Sequence, residues 1–184
     1  MQRMVVAYTA FVALVVALGA GMKAPEISGA SGDAIWFLVL LASISLKIFL
    51  DDLSHFANLD PTDTQKAVHG FWASIVIWLL LLAAFVETFQ RTTTAALLLA
   101  LVFLTGLLWI IYNYLGVKDG SSQARRRHLW WALLNVVHIV ALVSYASIIH
   151  SHSPPWGAIT FGLQTALVVA DAAFLGTVTR LARP

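Results

Sequence analysis

Long apolar stretches separated by short polar segments run along the whole chain. Six of these stretches contain about 17 to 24 residues each, the length that a helix needs to cross roughly 30 Å of hydrocarbon. They lack the alternation of polar and apolar positions that is typical of a membrane-barrel strand. The pattern therefore predicts an all-α, polytopic bundle of six membrane-spanning helices. The predicted spans are residues 4–22, 34–50, 67–86, 95–115, 129–149 and 156–179.

The connections between the predicted spans are short, and their residues are typical of helix ends. Thr92–Thr94 can cap the start of the fourth helix, and Gly116 can end it. The sequence contains no second domain, no low-complexity segment and no convincing internal repeat. We therefore expect residues 1–184 to form one integral membrane domain.

Lysine and arginine are distributed unequally between the connections, and this distribution predicts the orientation of the chain. With the N-terminus in the cytoplasm, only Lys23 and Arg91 fall on the outer side. Because cytoplasmic connections are enriched in basic residues, we expect both termini in the cytoplasm and the protein in the cell membrane. The basic residues on the inner side are Arg3, Lys47, Lys66, Lys118, Arg125, Arg126, Arg127, Arg180 and Arg183.

The first apolar stretch allows a second interpretation. Arg3, a short apolar run and the small residues Gly19–Gly21 also resemble a secretory signal peptide. Cleavage would leave five spans with the same orientation. We expect a span, because the run is long enough to cross the membrane and no clean small-x-small site precedes Lys23.

Composition agrees with the membrane prediction and excludes several classes of protein. The chain is 60% hydrophobic and 11% charged, whereas soluble domains are about half apolar and about a quarter charged. A soluble monomer is therefore excluded. The lack of cysteine excludes disulfides, thiolate metal sites and cysteine nucleophiles. A formal charge of +2 does not indicate a nucleic-acid partner, and the expected partner is the lipid bilayer.

Asp171 is the most informative polar residue in an apolar stretch. It lies nine residues before Arg180, which places it about 13 Å inside the predicted cytoplasmic end and close to the middle of the bilayer. A charge there costs about 2.5 to 3.5 kcal/mol and usually marks a pathway or a paired site. Gln164 lies on the same side of the sixth helix, so the two define a polar stripe.

The fifth predicted helix carries a matching polar face that includes Asn135, His138 and Tyr145. His138 lies about 15 Å from the predicted cytoplasmic end, nearly level with Asp171. Because the fifth and sixth helices are consecutive and antiparallel, we expect His138 and Asp171 to meet and to exchange a proton. On the second helix, Lys47 precedes Asp51 by four residues, the spacing of a local ion pair.

Histidines near the predicted cytoplasmic ends raise the alternative of a metal or haem. Asp51, His55 and His69 lie around one helix hairpin, and two imidazoles with one carboxylate suit iron, copper or zinc. His69 and His138 are the pair that a bis-histidine haem would need. The proline at position 61 interrupts the regular histidine spacing that stacked haems would require. No cofactor is identified by these patterns.

These polar faces favour a small channel or a proton-coupled transporter. In this hypothesis Asp171 binds the proton or cation, His138 exchanges a proton with it, and Lys47 sets the local charge. The other residues expected to line the path are Asn135, Tyr145 and Gln164.

Two other classes stay open: a membrane metalloprotein or haem-binding redox protein, and a non-catalytic membrane protein that acts by association. The second of these predicts polar stripes that close against each other without a cavity. The chain has no recognised enzyme signature, such as a glycine-rich phosphate loop or Gly-x-Ser-x-Gly, so we do not expect an enzyme. The expected partners are a small ion or small-molecule substrate and a second copy of the chain.

Overall fold

The computed structural model describes residues 2–23, 31–57, 64–116, 122–151 and 156–174. These residues form six α-helices and one turn of 3₁₀-helix, and the described part of the chain contains no strand. The all-α prediction is therefore confirmed. The helices are α1 Gln2–Lys23, α2 Gly32–Ala57, α3 Thr64–Thr88, α4 Thr92–Gly116, α5 Ser122–Ser147 and α6 Trp156–Phe174, with the 3₁₀ turn at Ile149–Ser151 between the last two.

Five of the six helices, α2 to α6, are long and apolar enough to cross a membrane. In α1 the apolar part is shorter and covers Val5–Gly21, so the count of six spans stays a prediction. The candidate span in α6 is Trp156–Ala173, and the last five residues of the predicted sixth span lie outside the described residues. The sequence placed the limits of α4 correctly, since it begins at Thr92 and ends at Gly116.

Helices α2 to α6 form a ring in which each helix packs against the next. The most extensive contacts join α4 to α5, α3 to α4 and α2 to α6, whereas the contact between α5 and α6 is the smallest in the ring. Helix α1 lies outside the ring against α3 and α2. The main neighbour of α6 is therefore α2 and not α5, the helix that precedes it in sequence.

The outer surface of the helices is apolar, as a lipid-facing surface must be. Leu46, Trp72, Val140 and Leu163 are each about 60% exposed. Inside, one cluster of buried hydrophobic residues draws on every helix. Its members include Tyr8, Phe37, Trp78, Leu99, Leu142 and Phe161, each at most 3% exposed.

The interior of the ring changes character along the helices. Along α2 the inward side chains are first Phe37, Leu40 and Ile44, all buried, and then Lys47 and Asp51, which border a cavity. We call the part packed around Phe37, Leu142 and Phe161 the closed half and the part around Lys47 the cavity half. The cavity half lies where α2, α4 and α6 end and where α3 and α5 begin.

Candidate functional site

A cavity of about 730 Å³ occupies the cavity half of the ring, and all five ring helices contribute to its walls. This volume lies in the range of about 300 to 1,000 Å³ that is common for small-molecule sites. The lining combines polar and aromatic side chains on an otherwise apolar wall. The polar residues of the lining are Lys47, Asp51, Asp52, Ser54, His55, Ser74, Asn135, His138 and Asp171, and the large aromatic residues are Phe103, Trp109 and Trp131.

Lys47 links two carboxylates at the wall of this cavity. Its Nζ lies 2.6 Å from Oδ2 of Asp51 on the same helix and 3.0 Å from Oδ2 of Asp171 on α6. The first contact is the local pair that the spacing predicted, while the second joins α2 to α6. Lys47 lies nine residues, about 14 Å, before the end of the candidate span Gly32–Phe56. Lys47 therefore lies within the candidate span of α2 and not at its end.

Asp171 is buried, with 7% of its surface exposed. Its Oδ2 contacts Lys47, but its Oδ1 has no hydrogen-bond partner among the described residues. A buried carboxylate oxygen normally accepts a hydrogen bond, so this atom is an unused acceptor beside the cavity. The arrangement leaves the lone pairs of Oδ1 for a proton or for the N–H group of a ligand.

His138 is held in a fixed orientation by two neighbours. Its ring stacks on Phe103, with centroids 4.3 Å apart and planes at 8°, and its Nδ1 lies 3.1 Å from Oε1 of Gln164. The sequence predicted direct contact between His138 and Asp171. Both side chains border the same cavity, but the contacts just described join each of them to a different residue.

Asn135 lies between α5 and α4. Its Nδ2 donates to the backbone oxygen of Trp131 one turn earlier, at 2.8 Å. Its Oδ1 lies over Gly106, where an added Cβ would come within 3.1 Å of that oxygen. The small residue on α4 therefore lets the Asn135 amide reach the cavity wall, as expected for close contact between helices in membranes.

Gln164 and Tyr145 lie in the closed half, beyond the cavity wall. Gln164 is 2% exposed, and its Nε2 has no partner among the described residues. Seven residues, or about 10 Å, separate His138 from Tyr145 along α5. The buried Leu142 lies between them, so the predicted polar path is interrupted by apolar packing.

Asp33, a residue that sequence reasoning missed, connects three helices at the far end of the closed half. Tyr145 donates from its hydroxyl to Oδ2 of Asp33 at 3.2 Å, and its ring packs on Phe161. The Asp33 carboxylate also lies so close to Gly157 that an added Cβ there would collide with it. Since Gly157 is in the first turn of α6, the acid interacts favourably with the helix N-terminus and connects α2, α5 and α6.

A second missed cluster joins α1 to the cavity wall. Tyr8 on α1 donates to Oδ2 of Asp52 at 2.8 Å and accepts from Nε1 of Trp78 at 2.9 Å. Ser74 adds a further hydrogen bond to the Asp52 carboxyl. Tyrosine and tryptophan in the interior of apolar helices are the signal that could have revealed this network, because their polar atoms need partners when buried.

The described residues do not form the predicted three-ligand metal site. His69 contacts the hydroxyl of Tyr112 at 3.1 Å and is exposed, whereas His55 lies against Gly70 and Trp109. Within the described part of the chain, Asp51, His55 and His69 do not make a cluster of three ligands, and no other such cluster is present. His138 contacts Gln164 through Nδ1, and the pairing with His69 that a haem would need stays a prediction.

Comparison with protein-family models, with curated proteins and with solved structures found no match for this chain. Its function must therefore be inferred from the cavity itself. The walls offer carboxylates, one amine, two imidazoles and aromatic faces within the candidate membrane spans. This combination suits the binding of a charged solute and the movement of protons.

Proposed function

We propose that the protein is a small proton-coupled transporter of the cell membrane, with its cargo site in the cavity. The observation that carries this proposal is a charged cavity at one end of a ring that is filled with apolar side chains at the other end. Asp171 binds the proton or cation, His138 exchanges a proton, and Lys47 sets the local charge. Asn135 lines the cavity, while Gln164 and Tyr145 lie in the closed half, where they line the path when that half opens.

The closed half favours a transporter over an open channel. Phe37, Leu142 and Phe161 are completely buried and fill the interior between the cavity and Asp33. A channel needs a continuous polar path, whereas a transporter exposes its site to one side at a time. The distribution of basic residues supports a cytoplasmic location for both termini, and the cavity would then face the cytoplasm.

The cavity also bears on the alternatives. An effector that works only by association would be expected to close its polar faces against each other, and a cavity with charged walls disfavours that class. A metalloprotein receives less support, because the described residues contain no group of three side chains that could hold a metal ion. The haem pairing of His69 with His138 stays an alternative. A second copy of the chain is not needed to complete the cavity, since its walls come from one chain.

Flux in proteoliposomes tests the transporter proposal. Purified protein is reconstituted with an internal pH-sensitive dye, and gradients of inorganic cations, organic cations, organic anions and neutral solutes are imposed in turn. At least one class should drive a change of internal pH that empty liposomes lack. If no class does so, proton-coupled transport is wrong.

Asp171→Asn assigns the role of the carboxyl group in the same assay. The change should reduce flux at least tenfold, because the amide can neither take up a proton nor neutralise a cation. Lys47 keeps Asp51 on the same helix as a partner in this variant, so its ammonium group retains a counter-charge although the ion pair between α2 and α6 is lost. Glu87→Gln, which makes the same chemical change outside the cavity, is the matched control and should keep wild-type flux. Normal flux from Asp171→Asn protein would remove the assigned role.

A further inference from the structure

We propose that the ligand of the cavity is a small organic cation, namely an alkylammonium or arylammonium ion, bound by Asp171 and by the aromatic side chains of the wall. The proposal deepens the transporter assignment by naming the class of cargo. The binding of this cation is inferred from the geometry of the cavity, and it is tested separately from flux.

The charge of the lining favours a positive ligand. The lining contains three carboxylates, Asp51, Asp52 and Asp171, and one ammonium group, that of Lys47, so its formal charge is −2 with both imidazoles neutral. Lys47 is already engaged by two carboxylates and therefore offers little attraction to an anion. A cation entering this cavity reduces the excess negative charge, whereas an anion increases it.

The unused acceptor on Asp171 gives the ligand a definite attachment point. Its Oδ1 is buried and has no hydrogen-bond partner among the described residues, although the residue borders the cavity. Such an atom is stabilised by an N–H donor that carries positive charge. A primary, secondary or tertiary ammonium supplies that donor, and a quaternary ammonium supplies the charge alone.

The aromatic part of the wall distinguishes an organic cation from a metal ion. Phe103, Trp109 and Trp131 border the cavity from α4 and α5, and aromatic faces attract alkylammonium groups while they displace the water that a small inorganic ion retains. The described residues contain no group of three metal-ligating side chains. A cavity of about 730 Å³ is also far larger than a bare ion needs.

Equilibrium binding to the purified full-length protein in detergent micelles tests the inference. The probes are choline, its uncharged isostere 3,3-dimethylbutan-1-ol, sodium ion and benzoate, each measured by isothermal titration calorimetry. Choline should bind, the uncharged isostere should bind at least tenfold more weakly, and sodium ion and benzoate should show no saturable binding. Tighter binding of the uncharged isostere or of benzoate than of choline would overturn the inference, as would the absence of choline binding.

Two matched pairs of variants locate the site. Asp171→Asn should weaken choline binding at least tenfold, while Glu87→Gln should leave it within twofold of wild type. Trp131→Leu should weaken binding about three- to tenfold through loss of an aromatic face. Its neighbour Trp130 is 44% exposed and outside the lining, so Trp130→Leu should have no effect. Equal effects of the two tryptophan changes would contradict a site in this cavity, and so would wild-type affinity in Asp171→Asn protein.

The binding and flux assays can reject the ligand class and the transporter proposal independently of each other. Choline binding without any solute-driven flux would retain the ligand class and reject the transporter. Flux driven only by anions or neutral solutes, with no binding of choline, would retain the transporter and reject the organic cation. Elution of each variant as a single species in size-exclusion chromatography shows that a loss of binding is not a loss of fold, and an aggregated Asp171→Asn leaves the decision to the tryptophan pair.

Discussion

The cavity half and the closed half are built from the same helices, yet they differ in how they use the interior of the ring. On α6 the closed half has Phe161, which is completely buried, whereas two to three turns later Asp171 borders the cavity. On α5 the corresponding change runs from Leu142 to His138. The comparison teaches that close packing and cavity formation are separated along the helix axes, because apolar side chains fill one level and polar groups leave space at the other.

The two halves also join their helices by different interactions. In the closed half, aromatic rings meet edge to face, as Phe37 and Phe161 do at 5.1 Å, and the contact depends on shape. In the cavity half, α2 and α6 meet through the ion pair of Lys47 and Asp171, and the contact depends on charge. Loss of side-chain volume should therefore damage the first half more, and loss of charge the second.

The largest effect is expected from the same truncation made in each half. Phe161→Ala should lower the free energy of unfolding by about 3 to 5 kcal/mol, because it leaves a void in close packing. Phe103→Ala should lower it by only about 1 to 2 kcal/mol, because its ring already borders empty space. Unfolding in mixed detergent micelles measures both, and equal losses would show that the halves are packed alike.

Removal of the shared cation comes next. Lys47→Met should destabilise the protein by about 2 to 3 kcal/mol, since it leaves Asp51 and Asp171 facing each other without compensation; this is less than the usual loss for a fully buried pair because Lys47 is 20% exposed. The same unfolding assay should show partial recovery in the Lys47→Met, Asp171→Asn double variant. A double variant as unstable as the sum of the two single changes would mean that the two residues do not interact.

A smaller loss is expected where Asp33 approaches α6. Gly157→Ala should lower the free energy of unfolding by about 1 to 3 kcal/mol, because the new methyl group collides with the Asp33 carboxylate. Gly162→Ala is a matched change on the same helix, where an added Cβ meets only Trp36 at 3.9 Å. Thermal unfolding of the two variants side by side should give a lower midpoint for Gly157→Ala, and the reverse order would place Asp33 elsewhere.

The smallest effect is expected from the hydroxyl of Tyr145. Tyr145→Phe removes one hydrogen bond to Asp33 and should cost about 0.5 to 1.5 kcal/mol, while its ring keeps the contact with Phe161. Thermal unfolding checks the loss of stability. A loss as large as that of Phe161→Ala would show that the closed half depends on this hydrogen bond more than on packing.

Much of the architecture was predictable because membrane helices have local signatures. Length and hydropathy located the apolar segments. Gly116 marked the end of α4, because the conformational freedom of glycine makes it common at helix C-termini. The local pair of Lys47 and Asp51 also followed from spacing alone. These features depend on residues that are close in sequence, so one chain is enough to identify them.

The site was less predictable because it depends on which helices become neighbours. The sequence suggested that α6 packs against α5, whereas α6 lies mainly on α2, and this brings Asp171 to Lys47. Helical periodicity gives the direction of a side chain around its own axis, but not the identity of the helix that it meets. The hydrogen bond between Asp33 and Tyr145 joins residues 112 positions apart. Residue spacing could not predict it for the same reason.

The weak contact between α5 and α6 has a mechanical consequence. Helices α2 and α6 form one well-packed pair, and α4 and α5 form another. Helix α3 joins the two pairs, since it contacts both α2 and α4. Separating α5 from α6 breaks fewer contacts than separating any other two neighbouring helices in the ring. The cavity lies between the two helix pairs. The separation of α5 from α6 is therefore the least costly deformation of the fold, and it also widens the cavity toward the lipid.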